Sequence, residues 1–528
     1  MSTSTSRYLA ILLDAPALPA VVPTLAPETL HRVIRHCGLE ACTQFVALAT
    51  PAQLSAVFDL DLWAQPEPSR DARFDVVRFA EWIEVLTDAD AALAARTVAA
   101  MDRRVAVDAL SRFVRVCDPG AIGTFMNLDG DLVTPAIGGG TWIARDIGAY
   151  HVRARRPETW DAIVLLLVAL EEGHPVVFDT LMRGCRRLSS SAPEEDVDAA
   201  PSAHGLWQAE AAIERDARQA TRGFVPAAEA RAFLQAARHS ALTMDVARPR
   251  HPVVDEYLRQ PPEARDVATD TGCAQPAHQD VFRALTTLLR DADAGAPPTP
   301  RALLTGRTPS TVAGPVRVTA TLASLVDEDP VLHHVRMNEL TFLANALVSG
   351  CSFQAGSFRP ADASSAAAAT CNLGLEWIGS SRGTAGHHVD TATDFITAFE
   401  IGWRLLHEHV GMFTLTGLRQ TLAHVRGGDT RTHADLLHLR HAVTRHLATG
   451  THWQVHEALD VLAVLDTIAW KGVLGLLDEC PTIAAVVTAT LDGRREPVSA
   501  TDFAFIATMP QVRRAQAFVD RLPELLGG

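Results

Sequence analysis

The chain has 528 residues, of which 48% are apolar and 21% are charged, and its formal net charge is −15. A chain of this length divides into two to four folding units, and this composition excludes global disorder. The acidic balance also argues against a nucleic-acid-binding surface, which requires a strongly basic face.

No segment has the pattern of a membrane span or an export signal. The longest uncharged apolar run, at 162–170, has nine residues, whereas a helical span needs about 20. The apolar run before Asp14 is too short for the core of a signal peptide. The eight cysteines are scattered without a C-x-x-C pair, which is typical of reduced, mostly buried thiols. We therefore expect a cytoplasmic protein without membrane insertion.

The amino-terminal part predicts short helices in succession. The stretches at 25–40 and 48–63 each open with a leucine and, two or three residues later, a proline, which is tolerated in the first turn of a helix. Thr50, directly before Pro51, is a natural N-cap. Residues 76–86 have apolar side chains at three- and four-residue steps, as in an amphipathic helix. Residues 105–116 have a similar pattern and are also expected to be helical.

The spacing of these proline openings resembles that in the superhelical amino-terminal domain of CBS-containing magnesium transporters. The resemblance covers roughly the first ninety residues and implies stacked helical hairpins. It implies no function, and the transporter's membrane span has no counterpart here.

Residues 118–156 predict a small β element. The Asp129–Gly130 pair lies between two short β-prone runs, which indicates a hairpin, and a further strand is expected in TWIARDIGAYHV. The glycines at 138–140 predict a turn and not a nucleotide site, because no Lys-Ser/Thr follows them. Helix is expected again at 158–172.

The rest of the chain predicts helix around one irregular segment. A flexible loop is expected at 189–203, and Gly223 is expected to stop a helix. Residues 279–292 predict the one strong helix of a Pro/Gly-rich excursion. The fold class is therefore mainly α: stacked short helices, a small β-hairpin element and a second, C-terminal helical unit. The expected division is a helical-hairpin unit at 1–117, a β-hairpin element plus helices at 118–245, the excursion at 246–316, and a C-terminal helical domain at 317–528.

Three stretches, TRGFVPAAEARAFLQAA, NELTFLANALVSGC and ATCNLGLEWIG, together resemble an uncharacterised bacterial family classed as a domain of unknown function. The order of parts fits as well, and the resemblance covers most of the chain. It implies one integrated, mainly helical protein, and it implies no activity, substrate or catalytic residue.

A polar cluster lies in two apolar helices of the C-terminal domain. Unpaired buried amides and carboxylates are unfavourable, so these groups need partners. One alternative is a structural hydrogen-bond network, which is favoured because satisfied buried polar groups are routine. The other is a pocket for a small ligand with two cysteines at its rim. The candidate residues are Asn338, Glu339, Asn345, Cys351, Cys371, Asn372 and Glu376.

Histidines are concentrated between residues 407 and 456, where nine of the 21 occur. His452 and His456 are four residues apart with Glu457 adjacent, and His438 and His441 are three apart, spacings that can converge on zinc or iron. There is no H-E-x-x-H motif, and arginines alternate with the histidines, as on a solvated helix face. Surface and capping histidines are therefore the default, and a divalent metal is the alternative; the sequence requires no cofactor.

Arg153, Arg155 and Arg156 form a short basic patch in an otherwise acidic chain. We interpret them as local salt-bridge partners and not as a phosphate site. No complete catalytic constellation is present in the sequence. We therefore expect a non-enzymatic cytoplasmic helical scaffold or regulatory protein that binds another protein and no nucleic acid. The alternative is an enzyme or ligand-binding protein that uses a polar or metal pocket in the C-terminal domain.

Overall fold

The structure, a computed structural model, divides the chain into two compact units. The first contains Met1–Pro66, Ala72–Gln219 and Asp266–Pro297, and the second contains Glu67–Asp71, Ala220–Arg265 and Pro298–Gly528. The residues that the structure describes are 3–64, 73–117, 125–126, 132–135, 141–191, 202–242, 250–259, 281, 283–285, 287–288, 316–353, 356–381, 392–424, 430–455, 458, 468–484, 487 and 503–526.

Short helices dominate the first unit, as the sequence predicts. They are α1 (Thr3–Leu13), α2 (Leu18–Val21), α3 (Pro27–Cys37), α4 (Thr43–Leu48), α5 (Pro51–Asp61), α6 (Val76–Ala89), α7 (Ala91–Ala100), α8 (Arg103–Ser111), α9 (Trp160–Gly173), α10 (Pro175–Ser191) and α11 (Ser202–Thr221). The last of these ends two residues into the second unit.

The predicted helix starts are confirmed by the caps. α3 and α5 begin at Pro27 and Pro51. The Thr50 hydroxyl accepts a hydrogen bond from the backbone N–H of Gln53 at 3.2 Å, and the Gln53 side chain accepts one from the N–H of Thr50 at 2.8 Å. This reciprocal pair satisfies two N–H groups that have no partner within the helix.

A buried carboxylate joins three helices of this unit. Asp61, at the end of α5, accepts hydrogen bonds from His31 on α3 at 3.1 Å and from Arg78 and Trp82 on α6, each at 2.7 Å. Burial alone would raise the pKa of Asp61, but the bonds from His31, Trp82 and Arg78 outweigh it and hold that pKa well below its usual range. The carboxylate is therefore ionised and positions α3 and α6 relative to α5.

The prediction of helix throughout 105–116 is wrong at its carboxyl end. α8 ends at Ser111 and strand β3 follows at Val114–Cys117. Val114 and Val116 alternate with arginine and are buried, a period of two that fits a half-buried strand. Sequence periodicity alone does not separate these few residues from the last turn of a helix.

An antiparallel sheet of five strands follows, larger than the predicted hairpin. Its spatial order is β3-β7-β6-β5-β4. The other strands are β4 (Phe125–Met126), β5 (Leu132–Pro135), β6 (Thr141–Ile147) and β7 (Tyr150–Ala154), and a separate two-stranded pair is formed by β1 (Trp63–Ala64) and β2 (Arg73–Phe74). β4 pairs with β5 as a hairpin requires; the turn at 129–130 and the glycines at 138–140 lie outside the described residues.

The second unit is helical with two small strand pairs. Its α-helices are α12 (Ala227–Arg238), α13 (Pro252–Arg259), α14 (Val316–Glu328), α15 (Pro330–Gly350), α16 (Pro360–Ser381), α17 (Phe395–Leu405), α18 (Phe413–His424), α19 (Thr430–Thr449), α20 (Ile468–Leu477), α21 (Met509–Asp520) and α22 (Leu522–Leu526). The strands are β8 (Ser352–Phe353), β9 (Gly356–Ser357), β10 (Thr482–Ala484) and β11 (Phe503–Phe505).

Three apolar clusters form the cores, one in the first unit and two in the second. Six of the cysteines have described side chains, and all six are free and buried, as expected. Among the described residues, no helix is both long and apolar enough to cross a membrane. Most of the predicted excursion at 246–316, and residues 192–201 of the predicted loop, lie outside the described part of the chain. The four-part division stays a prediction.

Candidate functional site

Glu339 is the most deeply buried member of the predicted polar cluster. Its side chain is fully buried on α15 and accepts hydrogen bonds from Arg336 at 2.9 and 3.0 Å and from the backbone N–H of Phe395 at 2.9 Å. The Arg250 guanidinium lies 3.7 Å away. Burial raises the pKa of Glu339, and the charge of Arg336 opposes this rise. The carboxylate therefore anchors the first residue of α17 to α15.

The two buried amides hold different segments of backbone. Nδ2 of Asn345 donates to the carbonyl oxygen of Gly223 and to the hydroxyl of Tyr257, each at 3.2 Å. Asn372 accepts from the N–H of Arg317 and donates to the carbonyl oxygen of Ala507, each at 2.8 Å. These bonds bring Asn345 and Asn372 to separate partners and not into one shared network.

The remaining members of the cluster are equally dispersed. Glu376 is half-buried and accepts from the N–H of Met509, the first residue of α21, at 3.1 Å, and Asn338 is half-buried on α15. Burial raises the pKa of the Cys351 and Cys371 thiols well above the ordinary value, so neither is a thiolate nucleophile at neutral pH. Hydrogen bonds from these side chains to separate backbone segments are what the structural hydrogen-bond alternative predicts. The other alternative, a ligand pocket formed by these residues, stays a prediction.

Of the histidines proposed as metal ligands, the three that the structure describes lie in different surroundings. His438 and His441 are exposed on α19, whereas His452 is buried in a single 3₁₀ turn, His452–Val455. His456 and Glu457 lie outside the described residues. Within the described part of the chain, no group of three or more His, Cys, Asp or Glu side chains could hold a metal ion.

One histidine of α19 departs from the expected solvated face. His446 is buried, and its Nδ1 lies 2.8 Å from the hydroxyl of Thr451. It therefore closes the end of α19 and does not face solvent.

A different polar constellation, centred on a π-helix, is the strongest candidate site. After Leu405 the backbone of α17 continues into seven residues of π-helix, Leu406–Met412, which then lead into α18. π-Helical turns are rare and occur often at functional sites. His407 is on this turn, and among the residues that the structure describes its Nδ1 is buried without a hydrogen-bond partner.

A buried ion pair lies beside this histidine. Arg238, the last residue of α12, donates to Glu479, and both side chains are at most one-tenth exposed. The other oxygen of Glu479 accepts from the backbone N–H and the hydroxyl of Ser352, at 2.9 and 3.2 Å. The guanidinium lies 3.7 Å from the ring centroid of Trp453, a cation–π contact. Because each charge has several partners, the pair is a rigid part of the site.

His452 completes the constellation. Its ring centroid is 5.1 Å from that of His407 and 5.2 Å from that of Trp453. Nε2 lies 3.2 Å from the carbonyl oxygen of Asp478, and because a carbonyl only accepts, this nitrogen carries the proton. The ring lies directly against the π-helix: a Cβ on Gly411 would be 2.3 Å from Nε2. Only glycine allows this approach.

The electrostatics of the site keep His407 uncharged. Burial, together with the nearby Arg238 and His239, lowers its pKa to about 4. A neutral imidazole has one donor and one acceptor nitrogen, so His407 can accept or donate a hydrogen bond without a change in charge. A hydrogen-bonding nitrogen of this kind is suited to binding a polar group.

From the sequence, His452 was singled out as a metal candidate and His407 was one of nine clustered histidines, whereas Arg238, Trp453 and Glu479 were missed. Arg238 and Glu479 are 241 positions apart, so no local spacing connects them. Likewise, no pattern in the sequence predicted the π-helix. A weak indication of the site in the sequence is Trp453, because it directly follows His452 in the histidine-rich segment.

Comparison with known proteins shows the family of the chain and no activity, substrate or partner. Residues 1–393 match a family of unknown function (DUF6178). The chain belongs to this family. The match confirms the predicted family type, whereas no comparison supports the resemblance to magnesium transporters. No curated protein and no solved structure matches the chain. Of the site residues Arg238, His407, His452, Trp453 and Glu479, only Arg238 lies in the matched part.

Proposed function

We propose that the second unit binds a small polar ligand against His407. The observation that carries this proposal is the buried Nδ1 of His407, which has no hydrogen-bond partner among the described residues. A buried polar atom left unpaired destabilises a protein by about 1–3 kcal/mol. A ligand with a hydrogen-bonding group would remove that cost, and π-helical turns are a common place for such binding.

The chemistry of the surroundings favours an uncharged polar group. Arg238 and Glu479 neutralise each other, and His407 is neutral at neutral pH because its pKa lies at about 4. An ionised ligand group would lose its hydration without gaining an opposite charge. A hydroxyl or an amide, which can donate to or accept from the imidazole, is the better match.

Mass spectrometry of natively purified protein tests this proposal. Small molecules released from the wild type on denaturation are compared with those from His407→Phe and from His441→Phe, a matched control because His441 is exposed on α19. We expect one compound at near-stoichiometric amount in the wild type and in the control, reduced about tenfold in His407→Phe, as the loss of one hydrogen bond implies.

A fold control makes the result decisive. His407→Phe removes an unpaired nitrogen, so its free energy of unfolding should equal or exceed that of the wild type without ligand. Equal small-molecule content in all three proteins, or none in any of them, would contradict the proposal.

A scaffold that binds another protein stays a second hypothesis. Exposed large apolar side chains exist, among them Val176 and Val331 at 79% and 76% exposure, but they occur on several helices. Single apolar side chains on a surface are ordinary and do not define an interface. Size-exclusion chromatography of the purified chain mixed with a specific partner remains the direct test of that hypothesis.

A further inference from the structure

One face of the five-stranded sheet in the first unit brings two arginines together. In the register of β3, β7 and β6, Arg115 lies opposite Arg153, and Arg153 lies opposite Ala144. Directly opposed residues have their side chains on the same face, and so do residues two apart along a strand. His151 therefore shares this face, which we call the arginine face, with Arg115 and Arg153.

The opposite face of the same strands is the apolar one. Val114, Val116, Val152 and Ala154 alternate with the arginine-face residues and belong to the core of the first unit. The arginine face is thus not needed to cover that core. Like charges directly opposite each other destabilise a sheet, and an anion bound beside Arg153 and Arg115 would reduce that repulsion.

Two nitrogens on the arginine face are buried, and among the described residues neither has a hydrogen-bond partner. They are Nε of Arg153 and Nε2 of His151, and the whole of His151 is only 7% exposed. The other ring nitrogen of His151, Nδ1, lies 2.7 Å from the carboxylate of Asp146. Because a carboxylate only accepts, Nδ1 carries a proton, which leaves Nε2 as the acceptor in the neutral form of the ring.

We propose that the arginine face binds inorganic phosphate. Nε of Arg153 donates to a charged phosphate oxygen, and Nε2 of His151 accepts from the P–OH that phosphate retains near neutral pH. The Arg115 guanidinium adds positive charge from the neighbouring strand. An ionised carboxylate or a sulfate offers acceptors only, so it satisfies Arg153 but leaves Nε2 of His151 unpaired.

This proposal revises the interpretation of the basic patch. Of its three arginines, Arg153 lies within β7, on the arginine face. Arg155 and Arg156 follow the end of β7, and Arg156 lies over the ring of Phe113 at 5.6 Å.

Calorimetric titration of the full chain with inorganic phosphate and with sulfate, at matched ionic strength and neutral pH, tests the donor pattern. The two anions have the same shape, but only phosphate has a hydroxyl. We expect phosphate to bind about tenfold or more tightly than sulfate, which corresponds to one additional hydrogen bond in a buried site. Undetectable phosphate binding, or equal affinity for both anions, would overturn the proposal.

Arginine variants locate the site on the sheet. Arg153→Gln should weaken phosphate binding about ten- to a hundredfold, as expected for a lost charge-assisted bond. The matched control is Arg145→Gln, because Arg145 is exposed and lies opposite Val152, on the other face; it should bind as the wild type does. If Arg153→Gln does not fold, Arg153→Lys keeps the charge but lacks Nε and should still weaken binding. Equal losses in the position 145 and position 153 variants would place the anion elsewhere.

Asp146→Asn tests the positioning role of the carboxylate. An amide can either accept from or donate to Nδ1 of His151, so the ring is no longer held with an acceptor at Nε2. We expect the ratio of phosphate to sulfate affinity to fall toward one, while binding of sulfate persists. An unchanged ratio would show that His151 does not accept from the ligand.

Discussion

Single buried side chains in this protein support backbone far away in the sequence, and Asn345 is the clearest case. Gly223 has a positive φ of 85°, a conformation that favours glycine, and it lies between α11 and α12. Its carbonyl oxygen accepts from Asn345 in the middle of α15. An otherwise apolar helix therefore contains an amide because a buried turn needs a donor.

Replacing this amide should destabilise the second unit although the new side chain is more hydrophobic. We expect Asn345→Leu to lower the free energy of unfolding by about 1–3 kcal/mol, because the Gly223 carbonyl is left without its donor. Denaturant unfolding measures the change, with the half-buried Asn338→Leu as control. Combined with Asn372→Leu the losses should add, since the two amides bond to different partners. A neutral or stabilising Asn345→Leu would contradict the structural role.

His407 should make stability depend on mildly acidic pH. Its folded pKa of about 4 lies below the ordinary 6.5, so between these values the unfolded chain binds a proton that the folded chain does not. Stability is then unaffected by this group above pH 6.5 and falls as the pH drops toward 4, with a slope of at most about 1.4 kcal/mol per pH unit.

Urea unfolding of the wild type and His407→Phe at intervals from pH 7.5 to 4 measures this dependence. The difference between the two proteins should be constant above pH 6.5 and should change in favour of His407→Phe below it. Parallel profiles across the whole range would show that His407 titrates normally in the folded chain. The exposed His441→Phe is again the control, and its profile should follow the wild type.

At the scale of elements, two glycines determine how closely α16 and α17 approach. A Cβ on Gly374 would lie 1.8 Å from the carbonyl oxygen of Ala398, and one on Gly402 would lie 2.0 Å from that of Thr370. Both obstacles are backbone, which cannot rotate away as a side chain can. The contact therefore tolerates no side chain at either position.

Gly374→Ala should destabilise the second unit in spite of the better helix propensity of alanine. Overpacking of a tight contact commonly costs about 1–3 kcal/mol, and a clash with backbone belongs at the upper end of that range or beyond. Gly379→Ala in the same helix is the matched control, because the nearest atoms there belong to the flexible end of Arg317. Thermal unfolding should show a large loss for position 374 and a small one for position 379. Equal effects would disprove the close contact.

The Asp61 carboxylate links elements in the first unit in the same way. Asp61→Asn removes the charge that pairs with Arg78 and should destabilise by about 3–5 kcal/mol at neutral pH, as expected when one partner of a buried pair is lost. Since the pKa of Asp61 is depressed in the folded chain, its contribution is present above the unfolded value of about 3.9 and is lost at lower pH. Asp88→Asn, exposed on α6, should be nearly neutral by the same denaturant measurement.

At the scale of the whole molecule, neither unit is a continuous piece of chain. The core of the first unit includes Val281, Leu285 and Leu288, which follow a segment, Ala220–Arg265, that belongs to the second unit. A buried side chain of this type contributes about 1.5–3 kcal/mol. The amino-terminal residues are therefore not expected to reach full stability without residues 266–297.

Truncation tests this organisation. A fragment of residues 1–297 should unfold at a higher denaturant concentration than a fragment of residues 1–219, because only the longer one contains the three apolar side chains. Circular dichroism at increasing urea gives both midpoints, and a variant of the longer fragment with Leu285→Asp should behave like the shorter one. Identical midpoints for all three would show that this segment does not contribute to the core.

The predictable features of this protein are the local ones. The Thr50–Pro51 start of α5 and the apolar face of α6 were both predicted correctly from neighbouring residues. Residues 112–116 were wrongly predicted as helix, because so short an apolar stretch fits both the helical period of 3.6 residues and the strand period of two. In the candidate site, the histidine cluster was visible but the buried Nδ1 of His407, which has no hydrogen-bond partner among the described residues, was not, since burial of a single nitrogen depends on side chains from other elements.

The sequence by itself determined a mainly helical protein, the starts of its helices and its family, because caps, periodicity and characteristic stretches act over a few residues. Only the tertiary structure decided which polar groups find partners. Arg238 meets Glu479 across 241 positions, and Asn345 meets Gly223 across 122. The physical reason is that desolvation and hydrogen bonding depend on what is close in space, which chain order does not specify.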